Sequence, residues 1–173
     1  MADSFLLSET LAGRSALVIS VAALGVACVT DLRARRIPNQ LNGTLALGLL
    51  ALHVHGAGLT GLLDALIALV ICFGVGLVMY LLGALGAGDV KLMAALSLAL
   101  DGTSALNFLA RIALAGGLLG VTRLIADGNL RNALFGLLSS ARRAEAERSS
   151  VPYAIAIAAG WLWWVAAGMN WTT

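Results

Sequence analysis

Long apolar runs alternate with short polar stretches along almost the whole chain. A membrane-spanning helix needs about 20 predominantly apolar residues, and roughly 17 is the lower limit. On this pattern we draw six apolar segments: Ala16–Thr30, Leu41–Leu59, Leu62–Leu85, Val90–Leu100, Leu106–Ala126 and Val151–Gly168. The fourth is too short to span a bilayer unless the residues before it also lie at membrane depth. The pattern therefore predicts an all-α, polytopic membrane protein with about six transmembrane helices.

The composition excludes the other broad classes of protein. Of the 173 residues, 60% are hydrophobic and 12% are charged, which leaves too little polar surface for a soluble domain. The net charge of +2 is too small and too scattered for nucleic-acid binding. Cys28 and Cys72 lie within apolar runs without a CxxC partner, so we interpret both as buried, inert thiols.

Positive charge sets the expected orientation, because cytoplasmic loops are enriched in Lys and Arg. Positive residues follow the first, third and fifth segments: Arg33, Arg35, Arg36, Lys91, Arg131, Arg142, Arg143 and Arg148. The opposite ends carry mainly acidic residues and histidines: Asp3, Glu9, His53, His55, Asp64 and Asp101. We therefore expect both termini on the non-cytoplasmic side and Asp31 and Asp89 near the cytoplasmic face. The tryptophans near the outer end of the last span are expected to form an aromatic belt: Trp161, Trp163, Trp164 and Trp171.

We interpret the chain as one membrane-embedded domain, residues 1–173. Its short N-terminal segment, residues 1–14, carries acidic residues where a secretory signal would be positive, so the first apolar run is interpreted as a retained span. In residues 129–148, leucines recur at helical spacing among arginines, which is typical of a helix on the anionic cytoplasmic membrane surface. A solvated linker is the alternative for that stretch.

Two aspartates stand out in this apolar chain. An ionisable group within a membrane span costs several kcal/mol, so it commonly marks a functional site. Without a function, Asp31 would be a solvated helix end paired with an arginine, and Asp89 would be a helix N-cap. Gly86 and Gly88 argue against that interpretation of Asp89, since they clear space for another backbone or a substrate, which a plain N-cap does not need.

Two carboxyl groups that meet in a low-dielectric site share one proton and titrate as a pair. The ionised member takes a proton from water while the protonated member polarises a peptide carbonyl, as in aspartic proteases. This chemistry needs no cofactor and no metal, and the sequence offers ligands for neither. Helix dipoles favour a carboxylate at a helix N-terminus, where Asp89 is expected, over a C-terminus, where Asp31 is expected. We therefore predict that Asp89 carries more of the negative charge.

Three stretches, in this order, resemble the type IV prepilin peptidase family: Asp31 with RARRIPN (Arg33–Asn39), GAGDVKLMAALS (Gly86–Ser97) and VPYAIAIAAG (Val151–Gly160). Members are membrane aspartic peptidases whose second aspartate lies in a GxGD motif. The short form is similar to the CpaA/TadV-like branch, which processes Flp-type pilins. The resemblance implies a catalytic dyad of Asp31 and Asp89 that cuts a basic leader from a prepilin, just before its apolar helix. It also implies a site facing the cytoplasm in the bacterial inner membrane, with the lipid bilayer and the pilus assembly machinery as further partners.

Supporting roles are predicted for the residues around the dyad: Gly86, Gly88, Lys91, Arg36, Pro38 and Asn39. Pro38 can begin the second helix at its first position. Asn39 either bonds a loop carbonyl or steadies the dyad, and Lys91 either pairs with Asp89 or extends to lipid phosphate. Arg36 contributes to the orientation and is also placed to contact substrate.

Larger members of that family resemble this core plus a cysteine-rich cytoplasmic insertion, and they also methylate the new N-terminus. No CxxC pair is present here, and the first cytoplasmic loop is expected to be only a few residues long. We therefore expect no N-methyltransferase activity and no methyl donor.

Three alternatives stay open. Intramembrane proteases of the presenilin type also carry GxGD, but their partner aspartate typically follows a tyrosine, and here Thr30 precedes Asp31. A transporter with two membrane carboxylates in a proton relay is the alternative from another class, although the internal repeats common in transporters are not visible. An assembly protein that kept the fold without the activity is the third.

Overall fold

The computed structural model describes residues 11–126 and 153–169. Over these residues the chain forms five helices and no strand: α1 (Leu11–Ala34), α2 (Asn39–Leu81), α3 (Ala87–Ser97), α4 (Gly102–Ala126) and α5 (Tyr153–Met169). The all-helical prediction is therefore confirmed for this part of the chain. The predicted surface helix at 129–148 and most of the N-terminal segment lie outside the described residues.

Three helical stretches are long and apolar enough to cross a membrane: Leu11–Ala34, Gly58–Leu81 and Gly102–Thr122. Their outward faces carry large apolar side chains in the open, such as Val18 at 66% exposure and Val70 at 67%. Helices that are apolar on their exposed faces too are stable against lipid and not against water. The chain is therefore a membrane protein.

The second and third predicted segments form one helix with a kink. α2 continues from Asn39 to Leu81 and is interrupted at Gly58, whose φ of 66° and ψ of −158° are not helical. Glycine adopts a positive φ without the steric cost that a Cβ would bring. A single glycine, and not a loop, therefore separates the two arms of α2, residues 39–57 and 58–81.

The fourth predicted segment forms a short, enclosed helix instead of a span. α3 has 11 residues, and at about 1.5 Å per residue it is roughly half as long as the ~30 Å hydrocarbon core is thick. It packs mainly against α2, and residues 92–100 are all buried. A tight turn ends it, in which the Leu98 N–H donates to the Ala95 carbonyl and the Leu100 N–H to the Ser97 carbonyl.

Aromatic side chains fill the core between α4 and α5, and they correct the predicted tryptophan belt. Trp161 is fully buried, and its ring meets Phe108 edge to face with centroids 5.3 Å apart. Trp164 is also buried, with its ring centroid 5.9 Å from that of Trp161. The belt prediction is wrong for these two residues because their face of α5 packs on protein; Trp163 is half exposed, and Trp171 lies outside the described residues.

His53 corrects a second expectation. It was expected at the outer membrane interface, yet only 3% of the residue is exposed. Its side chain lies against the backbone of Leu98, in the turn after α3, and of Gly61. The ring is buried because its face of α2 packs on that turn, which hydropathy alone does not reveal.

Gly160 allows α4 and α5 to approach each other closely. A Cβ at this position would lie 2.8 Å from Cγ1 of Ile112 and 2.9 Å from its backbone nitrogen. Helices in membranes commonly pack through small residues because lipid provides no hydrophobic driving force between them. The absence of a side chain at Gly160 therefore sets the separation of the two helices.

We expect Gly160→Ala to lower the free energy of unfolding by about 1–3 kcal/mol, because backbone must move to admit the methyl group. Unfolding in detergent micelles, followed by Trp fluorescence, measures this loss. Gly117→Ala on α4 is the control, since a Cβ there meets nothing within 4 Å. Equal stability of the two variants would contradict the close-packing interpretation.

Candidate active site

A cleft of about 690 Å³ lies where the end of α1, the loop of residues 35–38 and the start of α3 meet. Its lining residues, which define the aspartate cleft, are Thr30, Asp31, Ala34, Arg35, Arg36, Ile37, Pro38, Asn39, Gly86, Ala87, Gly88, Asp89 and Lys91. The structure thus brings Asp31 and Asp89 to one cleft, although 58 positions separate them in the chain. All six predicted supporting residues line the same cleft.

Asp31 lies in the last turn of α1 and faces the start of α5. Its Oδ2 accepts a hydrogen bond from the backbone N–H of Ala154 at 3.4 Å. The carbonyl of Ala154 in turn accepts the thiol of Cys28, with the sulfur 3.6 Å away. The first N–H groups of a helix have no intrahelical acceptor, so a carboxyl group placed there satisfies one of them. The first turn of α5 therefore holds the Asp31 side chain in position.

Asp89 is the third residue of α3, not its N-cap. Gly86 is the N-cap, and its N–H donates to Oδ2 of Asp89 at 3.2 Å. The second carboxyl oxygen, Oδ1, is buried and has no hydrogen-bond partner within the described part of the chain. One oxygen is thus fixed by the helix start, and the other keeps its capacity to accept a hydrogen bond or to carry a proton.

The environment of Asp89 favours its protonated form. Asp89 lies outside the three candidate spans. Burial, followed by the negative charge of Asp31, raises its pKa from 3.8 to about 6, and the hydrogen bond from Gly86 offsets this only in part. This direction is opposite to the prediction that Asp89 carries more of the negative charge. Burial of Asp89, which helix dipoles do not take into account, is the largest cause of this difference.

We expect the Asp89 carboxyl to stay protonated up to about pH 6 and to lose its proton as the pH rises through that value, because its pKa is raised. The infrared band of protonated carboxyl groups, taken as the difference between the wild-type protein and Asp89→Asn, follows this titration. The difference between wild type and Asp64→Asn, recorded in the same way, is the control for a change outside the aspartate cleft. A band that disappears near pH 4 would contradict the raised pKa.

The structure requires glycine at the two glycine positions of GAGD for different reasons. A Cβ at Gly88 would lie 3.3 Å from Cβ of Ile37, so Gly88 allows the loop of residues 35–38 to pack on α3. A Cβ at Gly86 would lie 2.9 Å from Oδ2 of Asp89, so Gly86 leaves room for that carboxyl group itself. The prediction that glycine allows a second backbone to approach therefore holds for Gly88, where Ile37 occupies the space.

The polar supporting residues form their own contacts. Lys91 Nζ donates to Oδ1 of Asn39 at 2.8 Å, so of the two fates predicted for Lys91 the structure shows neither. The side-chain oxygen of Asn39 thus holds the Lys91 ammonium group beside the cleft. Pro38, predicted as the first residue of the second helix, is instead the N-cap of α2, and Asn39 is the first helical residue. Arg36 is exposed at the cleft.

The turn after α1 is sharp. Arg35 has a φ of 48°, in the left-handed region that costs a non-glycine residue about 1–2 kcal/mol. Its N–H donates to the Asp31 carbonyl at 2.8 Å, which closes the last turn of α1. The reversal lets Ile37 reach Gly88 only two residues later, and it confirms that this loop is short.

Two contributors to the site were not predicted. Ala154 belongs to the VPYA stretch, but an apolar helical pattern does not show that its N–H faces Asp31. Asn42 is 5% exposed, and its Nδ2 donates to the Gly88 carbonyl at 3.3 Å. A polar residue one turn after Asn39, on the same face of an apolar helix, was the available signal.

Comparison with known proteins bears on this site directly. A model of the type IV leader peptidase family matches residues 18–121, more than half of the chain, and the match includes Asp31, Gly86, Gly88 and Asp89. Comparison with curated proteins and with solved structures gave no match. The family implies a peptidase, and the exposed apolar helices agree with a membrane enzyme. On this evidence the chain belongs to the type IV leader peptidase family.

Proposed function

We propose that the chain is an aspartic endopeptidase that removes the short leader from type IV, Flp-like prepilins at the cytoplasmic face of the bacterial inner membrane. The observation that carries the proposal is that Asp31 and Asp89 line one open cleft, near enough for the charge of Asp31 to act on Asp89. The family supports leader cleavage in general. The proposal of an Flp-type substrate rests on the short connection between α1 and α2 and on the motifs.

The raised pKa of Asp89 favours a division of labour in which Asp89 is the proton donor and Asp31 is the base. Because this pKa is about 6, the fraction of Asp89 that carries the proton falls as the pH rises above that value. As the oxygen of a water molecule bonds to the scissile carbonyl carbon, one water proton passes to Asp31, and Asp89 donates its proton to the carbonyl oxygen. The diol then collapses: the C–N bond breaks, the leaving nitrogen takes the proton from Asp31, and a hydroxyl returns a proton to Asp89.

The position of the cleft fits such a substrate. α1 is an apolar helix that ends with Asp31 and an exposed basic stretch, Arg33 to Arg36. A prepilin also changes from a polar leader to an apolar helix at the bond to be cut, so this bond lies at the membrane boundary. That boundary is where the cleft opens in the orientation that the charges favour.

We infer further that the chain does not methylate its product. Only residues 35–38 separate α1 from α2, so this connection holds no cysteine-rich insertion of the kind expected in bifunctional members. Both cysteines are free, Cys28 half-buried in α1 and Cys72 buried in α2. We therefore expect the new N-terminus of the cleaved pilin to be released without methylation.

Co-expression of the chain with an Flp-type prepilin tests the proposal. Loss of the leader is followed by gel shift, and mass spectrometry gives the new N-terminus and its methylation state. We expect one cut just before the apolar helix and an unmethylated product. An intact prepilin beside a correctly inserted chain would overturn the peptidase assignment, and proton flux in vesicles would then favour the proton-relay alternative.

A further inference from the structure

A second groove adjoins the aspartate cleft. It has a volume of about 460 Å³ and lies between the two arms of α2 and α3. We call it the apolar groove; it is lined chiefly by small or apolar residues, among them Gly43, Ala46, Leu69, Phe73, Ala94 and Ala95. Asn39 and Lys91 line both the groove and the aspartate cleft. The two spaces therefore adjoin, with the hydrogen-bonded Asn39–Lys91 pair at their boundary.

Asn42 gives the apolar groove an unused acceptor. The residue is 95% buried, lines the groove, and donates through Nδ2 to the Gly88 carbonyl at 3.3 Å. That bond fixes which end of the amide is which, because a carbonyl accepts and does not donate. Oδ1 of Asn42 is buried and has no partner among the described residues. A buried acceptor without a donor costs about 1–3 kcal/mol, so a donor supplied by a ligand would be favourable.

We propose that the apolar groove binds the first turns of the prepilin's apolar helix, and that Asn42 Oδ1 accepts a backbone N–H from that helix. The inference rests on the proposed function and adds to it the surface that selects the substrate. The substrate helix begins just after the scissile bond, and the first four N–H groups of any helix lack intrahelical acceptors. The free N–H groups of the substrate helix are therefore suitable donors for Oδ1 of Asn42, in the groove that adjoins the aspartate cleft.

Two further observations favour a peptide helix over a lipid chain in the groove. Small side chains at Gly43, Ala46 and Ala94 allow a helix backbone to approach closely, as in other membrane helix pairs. A lipid acyl chain has no donor for Asn42. A substrate must also reach the aspartate cleft, which adjoins the groove at Asn39 and Lys91, whereas a lipid chain has no such requirement.

Filling the groove tests the proposal. Gly43 is exposed on α2, and a Cβ there meets nothing within 4 Å, so Gly43→Leu fills the groove without disturbing the fold. Gly74→Leu is the matched control, because Gly74 is also helical, exposed and open but does not line the groove. Each variant is assayed on two substrates: the full precursor, and a short peptide with the leader and the scissile bond but without the apolar helix.

We expect Gly43→Leu to lower cleavage of the full precursor at least tenfold more than cleavage of the short peptide, mainly through KM. Gly74→Leu should match the wild type on both substrates. An equal loss on both substrates, or the same loss in Gly74→Leu, overturns the groove assignment while leaving the peptidase intact. If the wild type cuts neither substrate, the proposed function fails, and the inference fails with it.

Photo-crosslinking identifies the occupant. A benzophenone amino acid in place of Phe73, which is 43% exposed, is expected to label the precursor in the Asp89→Asn background. The same group in place of Val70, which is 67% exposed and lines a different part of the α2 surface with Leu66 and Ile67, should label lipid only. Lipid labelling at both positions overturns the proposal.

A modified substrate tests the hydrogen bond to Asn42 separately. Replacing one early amide of the substrate helix by an ester removes its N–H, which should weaken cleavage by roughly three- to tenfold, the value of one neutral hydrogen bond. The same ester should cost nothing further in Asn42→Ala. Additive losses would show that Asn42 does not accept this bond.

Discussion

Asp31→Asn and Asp89→Asn are each expected to reduce leader removal by about 10³-fold or more, which abolishes processing in a gel-shift assay. Asparagine has the shape of aspartate but neither takes nor gives a proton in this chemistry. Each substitution therefore removes the proton transfers made by that residue and leaves the shape of the cleft unchanged. The carbonyl oxygen of an asparagine at position 31 can still accept the Ala154 N–H, and one at position 89 can still accept the Gly86 N–H.

The amount of folded, membrane-inserted protein must be measured beside the activity, because burial of a new amide group could also affect folding. Asp64→Asn is the matched control, since Asp64 is an exposed acid on α2 outside the aspartate cleft. We expect it to process prepilin at the wild-type rate. Normal processing by either dyad variant would rule out the two-carboxylate mechanism.

The common location of the two acids could be predicted from the sequence because it depends on charge and segment order alone. Each segment that crosses the membrane exchanges the side at which the chain emerges, so the end of the first segment and the start of the fourth lie on the same side. The structure places Asp31 and Asp89 in one cleft, in agreement with this argument. Which backbone groups face them depends on packing, and the N–H of Ala154, 123 residues from Asp31, has no signature in the local pattern.

Burial was the property least accessible from this sequence. In a water-soluble protein an apolar face identifies the core, but lipid and protein interior are equally apolar. Tryptophans at the end of a span therefore fit a membrane interface and a core equally well, and Trp161 and Trp164 prove to be in the core. The same ambiguity affects His53.

The kink in α2 escaped prediction for a related reason. Two apolar runs, Leu41–Leu59 and Leu62–Leu85, are separated only by Thr60 and Gly61, and such a short polar interruption is equally typical of a loop between two spans. Only the backbone dihedral angles distinguish one glycine with a positive φ from a connecting turn. The kink has a functional consequence, because the two arms of α2 enclose the apolar groove together with α3.

The pKa of Asp89 illustrates a competition between two effects that the sequence could not rank. A helix N-terminus stabilises a nearby carboxylate by about 0.3–1 kcal/mol and so lowers its pKa by roughly 0.2–0.7 unit. Burial and a second carboxylate act in the opposite direction, and together they raise the pKa to about 6. The direction of the pKa shift of Asp89 therefore depends on how deeply α3 is enclosed, which is a property of the fold.

Gly88→Val is expected to lower leader removal by about 10²-fold, through the position of Asp89 and not through its chemistry. Gly88 precedes Asp89, and an added Cβ would lie 3.3 Å from Cβ of Ile37, so the larger valine must push α3 away from the loop of residues 35–38. A displacement of about 1 Å between catalytic groups can cost this much. Activity per inserted molecule is the measurement, and Gly88→Ala should lose less because its single methyl group needs only a small adjustment.

A second substitution separates this clash from a general effect on the helix. Ile37→Ala removes Cγ1, which lies 3.7 Å from where a Cβ at Gly88 would be, so it should restore part of the activity of Gly88→Val. Gly74→Val places the same β-branched residue in a helix where nothing lies within 4 Å, and it should keep full activity. If Ile37→Ala gives no recovery, or if Gly74→Val is equally impaired, contact between the loop and α3 does not position the dyad. Recovery would show that the two acids are aligned by a backbone approach that only glycine permits, which explains why a glycine directly precedes the aspartate in this motif.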